Sequence, residues 1–236
     1  VHLTGRPARV DHIMELVRDK SILVIEDAAQ AVGAKLNGKA VGSLGHAACF
    51  SLHPLKNMRV FGDGGMLTSS DEEIIRFIAK IKNHGLANRE QCDFWGFNCR
   101  LDEVHAAMLN VQLDQFNELT NLRRQIAFRD NEGLKEFVEV PKENEGEYCV
   151  YQTYVIKTKR RDELQNFLRD NGVEALIHYK NPIFLQPSAK NLECRPEEFP
   201  ETLKHCEMIL SLPIYPTMTS DAQEYVIEKI KMFFTR

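Results

Sequence analysis

The chain has 236 residues, 43% hydrophobic and 27% charged, with a formal net charge of −4. That is ordinary globular composition, long enough for one large domain or two modest ones to bury a core without metal or disulfide staples. The charge balance lacks the basic excess of a nucleic-acid binder, and no apolar run approaches the roughly 20 residues of a membrane span.

The first five residues, VHLTG, begin without an initiator Met and read as a strand end entering a loop, so an N-terminal part is expected to be missing. Residues 11–20 predict a polar helix with Ile13, Leu16 and Val17 on one face. The short apolar run SILVI at 21–25 suits a parallel strand buried on both faces. Further strands are predicted at 48–52 and 65–68. Ser70-x-x-Glu73 reads as a capping box for a helix to about Asn83, with Gly85 closing it. A second helix starts near Leu101, with Val104, Ala107, Met108 and Val111 as its apolar stripe and Leu113 and Phe116 widening it. It continues, bent or broken, to about Leu134. A polar turn (PKENEG, 141–146) precedes a β-rich tract at 148–157. Then follow a helix at 161–171 closed by Gly172, a strand at 173–178, a proline-rich loop to Pro200, and a last helix capped by Ser220-x-x-Gln223. Strand and helix signals alternate, which argues for α/β layers. One domain boundary is placed between residues 123 and 124, giving domains 1–123 and 124–236.

Six cysteines occur, at 49, 92, 99, 149, 194 and 206, with no C-x-x-C pair, which argues against a zinc site. Without a secretory signal they read as reduced thiols of a cytoplasmic protein.

Three loop segments stand out. Asp27 and Gln30 follow the first strand, where an acid either caps the next turn or faces the ligand crevice of an open α/β sheet. Ser51-x-x-x-x-Lys56-Asn57 follows another strand, and a lysine there is either a surface charge or a functional amine. Gly62-x-Gly64-Gly65 is a tight turn into a strand. A phosphate loop should open a helix instead, which argues against a nucleotide-binding module.

With Gly96-x-Asn98-x-Arg100, these segments fall in one order that resembles the DegT/DnrJ/EryC1/StrS family of pyridoxal-phosphate (PLP) sugar aminotransferases. The resemblance runs nearly the whole chain, through VHLTG, EDAAQAVGAKLNGKAVGSLG, SLHPLKN, KNHGL, GFNCRLDEVHAA and LSLPIYP. It implies the PLP-transferase fold type I, an α/β architecture with a mostly parallel sheet. The large domain would be incomplete and followed by a smaller α+β C-terminal domain. It also implies an earlier segment, absent here, with a phosphate loop and an aromatic that stacks on the cofactor. The 236-residue chain is therefore expected to be much less active than a longer form.

The resemblance assigns Lys56 the Schiff base with PLP and, once freed, a proton shuttle. A free lysine titrates at ~10.4, so desolvation or cationic neighbours must lower it. Asp27 would hold a proton on the pyridine nitrogen, through a charge-assisted bond of roughly 1.5–3 kcal/mol. Gln30 would lie by the ring, Ser51 would bind the phosphate, and Asn98 would reach the phosphate of a neighbouring subunit, implying a homodimer with shared sites. His53, Arg100 and His178 are substrate-side candidates. The two histidines could equally be surface or packed residues, and Arg100 could serve helix-start electrostatics. His105 reads as structural. Two residues depart from the family pattern: His46, where an acid is common, and Gln152, where many relatives have histidine and a substrate contact would differ.

The implied reaction moves an amino group from an amino acid, usually glutamate, to a nucleotide-linked keto-sugar, a dTDP- or UDP-keto-deoxyhexose. Surface-polysaccharide and antibiotic sugars both remain open. Lys56 argues against a dehydratase of the same family, which has histidine there. A non-catalytic PLP-binding regulator or scaffold is the rival outside catalysis.

Overall fold

The computed structural model describes residues 1–236. They form two compact units, one of Val1–Asn121 with Glu143–Gln152, the other of Leu122–Lys142 with Thr153–Arg236. The sequence reading runs 124–236 as one piece, whereas Glu143–Gln152 belongs with the first unit.

In the first unit, α1 (Val10–Val17) leads to β1 (Ile25–Asp27). The expected strand at 21–25 starts later, and it is not buried on both faces: Ile22, Leu23 and Ile25 are 51%, 68% and 67% exposed. The reason is position, since β1 pairs only with β4 at the edge of a three-stranded sheet. A hairpin follows, β2 (Lys35–Leu36) and β3 (Lys39–Ala40), which the sequence reading lacks. Asn37 and Gly38 turn it with φ of 50° and 78°, the positive pair that a tight hairpin needs. β4 (Ala47–Ser51) runs parallel to β1, and β5 (Gly65–Ser69) runs antiparallel to β4, so the sheet is mixed. 

Glu26, buried in β1, fastens the β3–β4 loop. Its Oε1 accepts from the N–H groups of Leu44 and Gly45, both at 2.8 Å, and its Oε2 from Gly42 N–H at 3.0 Å. His2 Nδ1 accepts from Ala8 N–H, so the ring proton lies on Nε2 and points at Glu26, 2.9 Å away. Burial pushes the Glu26 carboxyl up, but the hydrogen bonds from His2 and the backbone outweigh it and hold it at about 2.

α2 (Glu72–Ile81) is capped by Asp71, not Ser70: Asp71 Oδ1 accepts from Glu73 N–H at 2.7 Å. Gly85, at φ 74°, closes it through a bond to Lys80 O, and any Cβ there would collide with the Phe94 carbonyl. α3 (Glu103–Leu134) is one unbroken helix of 32 residues. Its expected stripe is only partly inward. Val104, Val111 and Leu113 are exposed, while Leu109 and Phe116 pack with Leu101 on the Leu52–Met58–Val60 cluster. Gln112 selects that face by bonding both the N–H and the carbonyl of Arg59. β6 (Glu147–Tyr148) then pairs with β2.

The second unit holds the end of α3, β7 (Tyr154–Lys157), α4 (Arg161–Asp170), α5 (Pro200–Met208), β8 (Ile209–Leu212) and α6 (Ser220–Phe234). β7 and β8 pair antiparallel. Leu134, Tyr154, Ile156, Leu164, Leu168, Leu210 and Ile230 are fully buried, and the Tyr154 hydroxyl donates to Asn131 Oδ1 at 2.8 Å. The strand expected at 173–178 is reduced to one bridge on the free edge of β8, Leu176 with Ser211, because α4 takes the neighbouring backbone groups: Val173 N–H bonds Leu168 O and Ala175 O accepts from Gln165 Nε2. Thr219, one residue before the expected Ser220, caps α6. No helix is long and apolar enough to cross a membrane.

Candidate active site

β1 and β4 run parallel, β1 ending at Asp27 and β4 running two residues further to Ser51. Asp27 pairs with Cys49, two residues before Ser51, so Asp27, Cys49 and Ser51 share one face of the sheet. The carboxyl ends of parallel strands are where open α/β sheets bind ligands. Asp27 Oδ1 also accepts from Ala29 N–H at 3.1 Å, which meets the capping reading and leaves its second oxygen open.

The loop after Ser51 is closed at its base. Leu52 N–H bonds Gly64 O, and Val60 N–H returns to Leu52 O, both at 2.8 Å. Between these ties, Ser51 Oγ accepts from His53 N–H, His53 Nδ1 accepts from Leu55 N–H, and Lys56 N–H donates to His53 O at 2.9 Å. Lys56 is half-buried and no carboxylate pairs with its amine. Burial lowers its pKa, while the negative charge of Asp27 works in the other direction, so the two groups lie within electrostatic reach.

Gln30 is half-buried and its Oε1 accepts from Thr4 N–H at 2.6 Å. His53 and Arg100 are exposed. Asn98 lies on a compact arm, residues 83–99, where it bridges with Asn83. The arm is laced by bonds from His84 N–H to Phe97 O and from Cys99 N–H to Lys82 O, both at 2.8 Å. Gly96 packs so closely on Gly85 that a side chain there would strike its backbone nitrogen. No hydrogen bond joins Asn98 to Lys56, Asp27 or Ser51. His178 lies in the other unit, where its Nδ1 bonds Ser211 Oγ at 2.8 Å.

The two departures read from the sequence have clear structural places. His46 Nδ1 accepts from Val24 N–H at 2.9 Å, a packing role. Gln152, expected on the substrate side, bonds the backbone around Lys56 instead. Glu26 is the anchor the sequence reading lacks. A carboxylate beside Asp27 in a strand gives no local sign of which neighbour faces inward.

Three relatives frame this geometry. The structure of DesV from S. venezuelae in complex with a ketimine intermediate matches with a TM-score of 0.95 and 31% identity, over 100% of this chain and 64% of that one. A Geobacillus stearothermophilus protein named a pleiotropic regulatory protein is 40% identical over 99% of this chain and 64% of its own length. The dTDP-3-amino-3,6-dideoxy-alpha-D-galactopyranose transaminase of Aneurinibacillus thermoaerophilus is 35% identical, again over 99% of this chain and 64% of its own. The chain thus spans a little under two thirds of these relatives. Its mixed sheet with flanking helices is the α/β architecture of fold-type-I PLP transferases. The model of the DegT/DnrJ/EryC1/StrS aminotransferase family matches residues 1–231, and the chain belongs to that family.

Proposed function

We propose that this chain carries the PLP site of an enzyme that moves an amino group from glutamate to a nucleotide-linked keto-sugar, a dTDP- or UDP-keto-deoxyhexose. The observation that carries the reading is the convergence of Asp27 and Ser51 at the ends of a parallel strand pair with the unpaired, burial-lowered amine of Lys56. The residues fit the group chemically: an amine for its aldehyde, a carboxylate for its ring nitrogen and a hydroxyl for its phosphate. Asn57 Oδ1, next in sequence to Lys56, is buried without a hydrogen-bond partner and is an acceptor still open.

When bound, PLP supplies an aldehyde that condenses with amines and a protonated ring that takes up an electron pair. Lys56 Nζ, with burial favouring its neutral form, binds the cofactor and then holds and returns the proton of the reacting carbon. Asp27 keeps a proton on the ring nitrogen. That pairing offsets its pull on Lys56 and lets the lowering by burial prevail. Ser51 keeps its O–H hydrogen for phosphate, because its oxygen already accepts from His53 N–H. Gln30, held by Thr4 N–H, lies at the ring side. His53, Arg100 and His178 serve the substrate. Asn98 reaches a neighbouring subunit's phosphate in a homodimer, a reading supported by its arm, on which Trp95 is 97% and Phe97 64% exposed. A cytoplasmic location suits the six free thiols.

A second reading, a PLP-binding regulator, is favoured by the name of the Geobacillus relative. The test incubates the protein with PLP, ¹⁵N-glutamate and a dTDP- or UDP-keto-deoxyhexose. Appearance of ¹⁵N in the sugar is the expected result. PLP held on Lys56 with no ¹⁵N transfer, in a form that also carries the earlier segment the resemblance implies, favours the regulator, and no PLP on Lys56 in that form defeats both.

A further inference from the structure

We infer that Gln152 is a positioning residue for Lys56: its side-chain amide clamps the backbone on both sides of the lysine and thereby fixes where the amine stands. The clamp is geometry. Its value for catalysis rests on the reading of Lys56 as the cofactor lysine.

Gln152 Nε2 donates to Leu55 O at 2.6 Å and its Oε1 accepts from Asn57 N–H at 2.9 Å. Leu55 O belongs to the peptide unit before the Lys56 Cα, and Asn57 N–H to the one after. Holding both planes fixes the direction of the Lys56 Cα–Cβ bond, and with it the cone that the amine can sweep. Asn57 Nδ2 adds a bond to Val150 O at 3.3 Å, lacing 55–57 to 150–152 a second time.

The loop crown has short bonds within itself, from His53, Leu55 and Lys56 N–H, but none of them engages the Leu55 carbonyl or the Asn57 N–H. His53 and Pro54 are exposed, and Leu55 is 76% exposed, so no packing of theirs replaces the clamp. The base under Gln152 is rigid by contrast. Val150 is fully buried in a cluster with Ala28, Ala31, Ala34 and Val41, and its N–H bonds Gly5 O at 2.9 Å. Gly5, at φ 90°, approaches so closely that a Cβ would lie 2.8 Å from Gln152 N. Tyr151 is held at φ 47°, a conformation an aromatic residue adopts only when its surroundings impose it. Gln152 is thus presented at a fixed place and angle.

A primary amide suits this job because it carries a donor and an acceptor side by side in one plane. Alanine removes both bonds. Methionine keeps the length and the neutral charge but carries no donor and only a weak acceptor. A neutral imidazole offers one donor and one acceptor, and loses the acceptor when protonated. Without the clamp the loop loosens, the amine gains water, and the lowering by burial fades.

The test titrates the Lys56 amine without any cofactor. An amine-reactive label is applied across a pH series to wild type, Gln152→Ala, Gln152→Met and Gln152→His. Lys56 and the exposed Lys39 are then read by peptide mass spectrometry, with thermal unfolding as the check on folding. Wild type should show a Lys56 midpoint below that of Lys39. Gln152→Ala and Gln152→Met should move it up, with Lys39 unchanged. Each unit of rise lowers the neutral fraction at fixed pH about tenfold. Gln152→His should restore the wild-type midpoint. A folded Gln152→Ala or Gln152→Met with an unmoved Lys56 midpoint overturns the proposal. If Gln152→Ala does not fold, Gln152→Met and Gln152→His still decide. A separate borohydride reduction of the wild-type chain with PLP shows whether Lys56 takes the cofactor, so failure of that reading is told apart from failure of the clamp.

Discussion

Asp27 accepts the Ala29 N–H through one oxygen while its charge still reaches Lys56, so capping and cofactor binding are compatible uses of one carboxylate. This makes Asp27→Asn informative, since the amide keeps the cap and loses the charge. The free Lys56 amine should titrate lower still, because Asp27 is the group that raises it. Turnover should fall roughly tenfold to a hundredfold, the value of a charge-assisted bond of about 1.5–3 kcal/mol. Labelling and steady-state kinetics on the same preparation check both. Asp27, Ser51 and Lys56 are legible in the sequence because each follows a strand signal in a fixed order. Gln152 is not legible in the same way. Its partners are backbone groups at 55 and 57, far off in sequence, and backbone groups have no spelling. Glu26 hides for a related reason: alternation in a strand of three residues cannot say which of Glu26 and Asp27 points inward.

Elements with their own local signals came through: β4, β5, α2, α4 and α6 lie where alternation, helical spacing and terminal glycines place them. Both helix caps shift by one residue, because Asp71 and Thr219 stand beside serines that are equally plausible caps. The strand expected at 173–178 fails beyond its one bridge to β8 because α4 takes the Val173 N–H and the Ala175 carbonyl, which no local signal foretells. The stripe on α3 fails in a different manner. Helical spacing identifies residues that share a face, but not which face meets the rest of the chain, and the Gln112–Arg59 bonds decide it.

The end of α3 offers a test of packing at this scale. Asp130 is buried and Gln223 Nε2 donates to its Oδ1 at 2.8 Å. Burial pushes its carboxyl up to about 6, against the lowering effects of Gln223 and Arg129. A raised carboxyl contributes stability that is fully present below its ordinary value of 3.8 and is lost as pH rises through about 6. Asp130→Asn keeps an acceptor for Gln223 and never ionises. It should therefore gain stability over wild type above pH 6 and lose that advantage toward pH 4. Urea midpoints at the two pH values check the sign.

For the molecule as a whole, the exposed apolar residues run along the chain from Leu3 and Leu23 to Tyr225, and one group of them lies where the homodimer reading expects a partner. Trp95 and Phe97 stand out from the arm that carries Asn98, and Val104 and Val111 are 66% and 68% exposed on α3. Trp95 is the sole tryptophan, so its fluorescence reports on this surface alone. Association should shift its emission to the blue with rising protein concentration. Trp95→Glu should sediment as a monomer and lose turnover through the shared site. A wild-type chain that stays monomeric and keeps its red emission at all concentrations contradicts the shared-site reading.

The central claim is that Lys56 holds PLP. The most direct measurement incubates the chain with PLP, reduces it with borohydride, and maps the added cofactor mass by peptide mass spectrometry beside Lys56→Ala. The account predicts one cofactor per chain on the peptide containing Lys56, and none in Lys56→Ala. Label scattered over exposed lysines such as Lys39 and Lys159, and equal in amount in the variant, would contradict it.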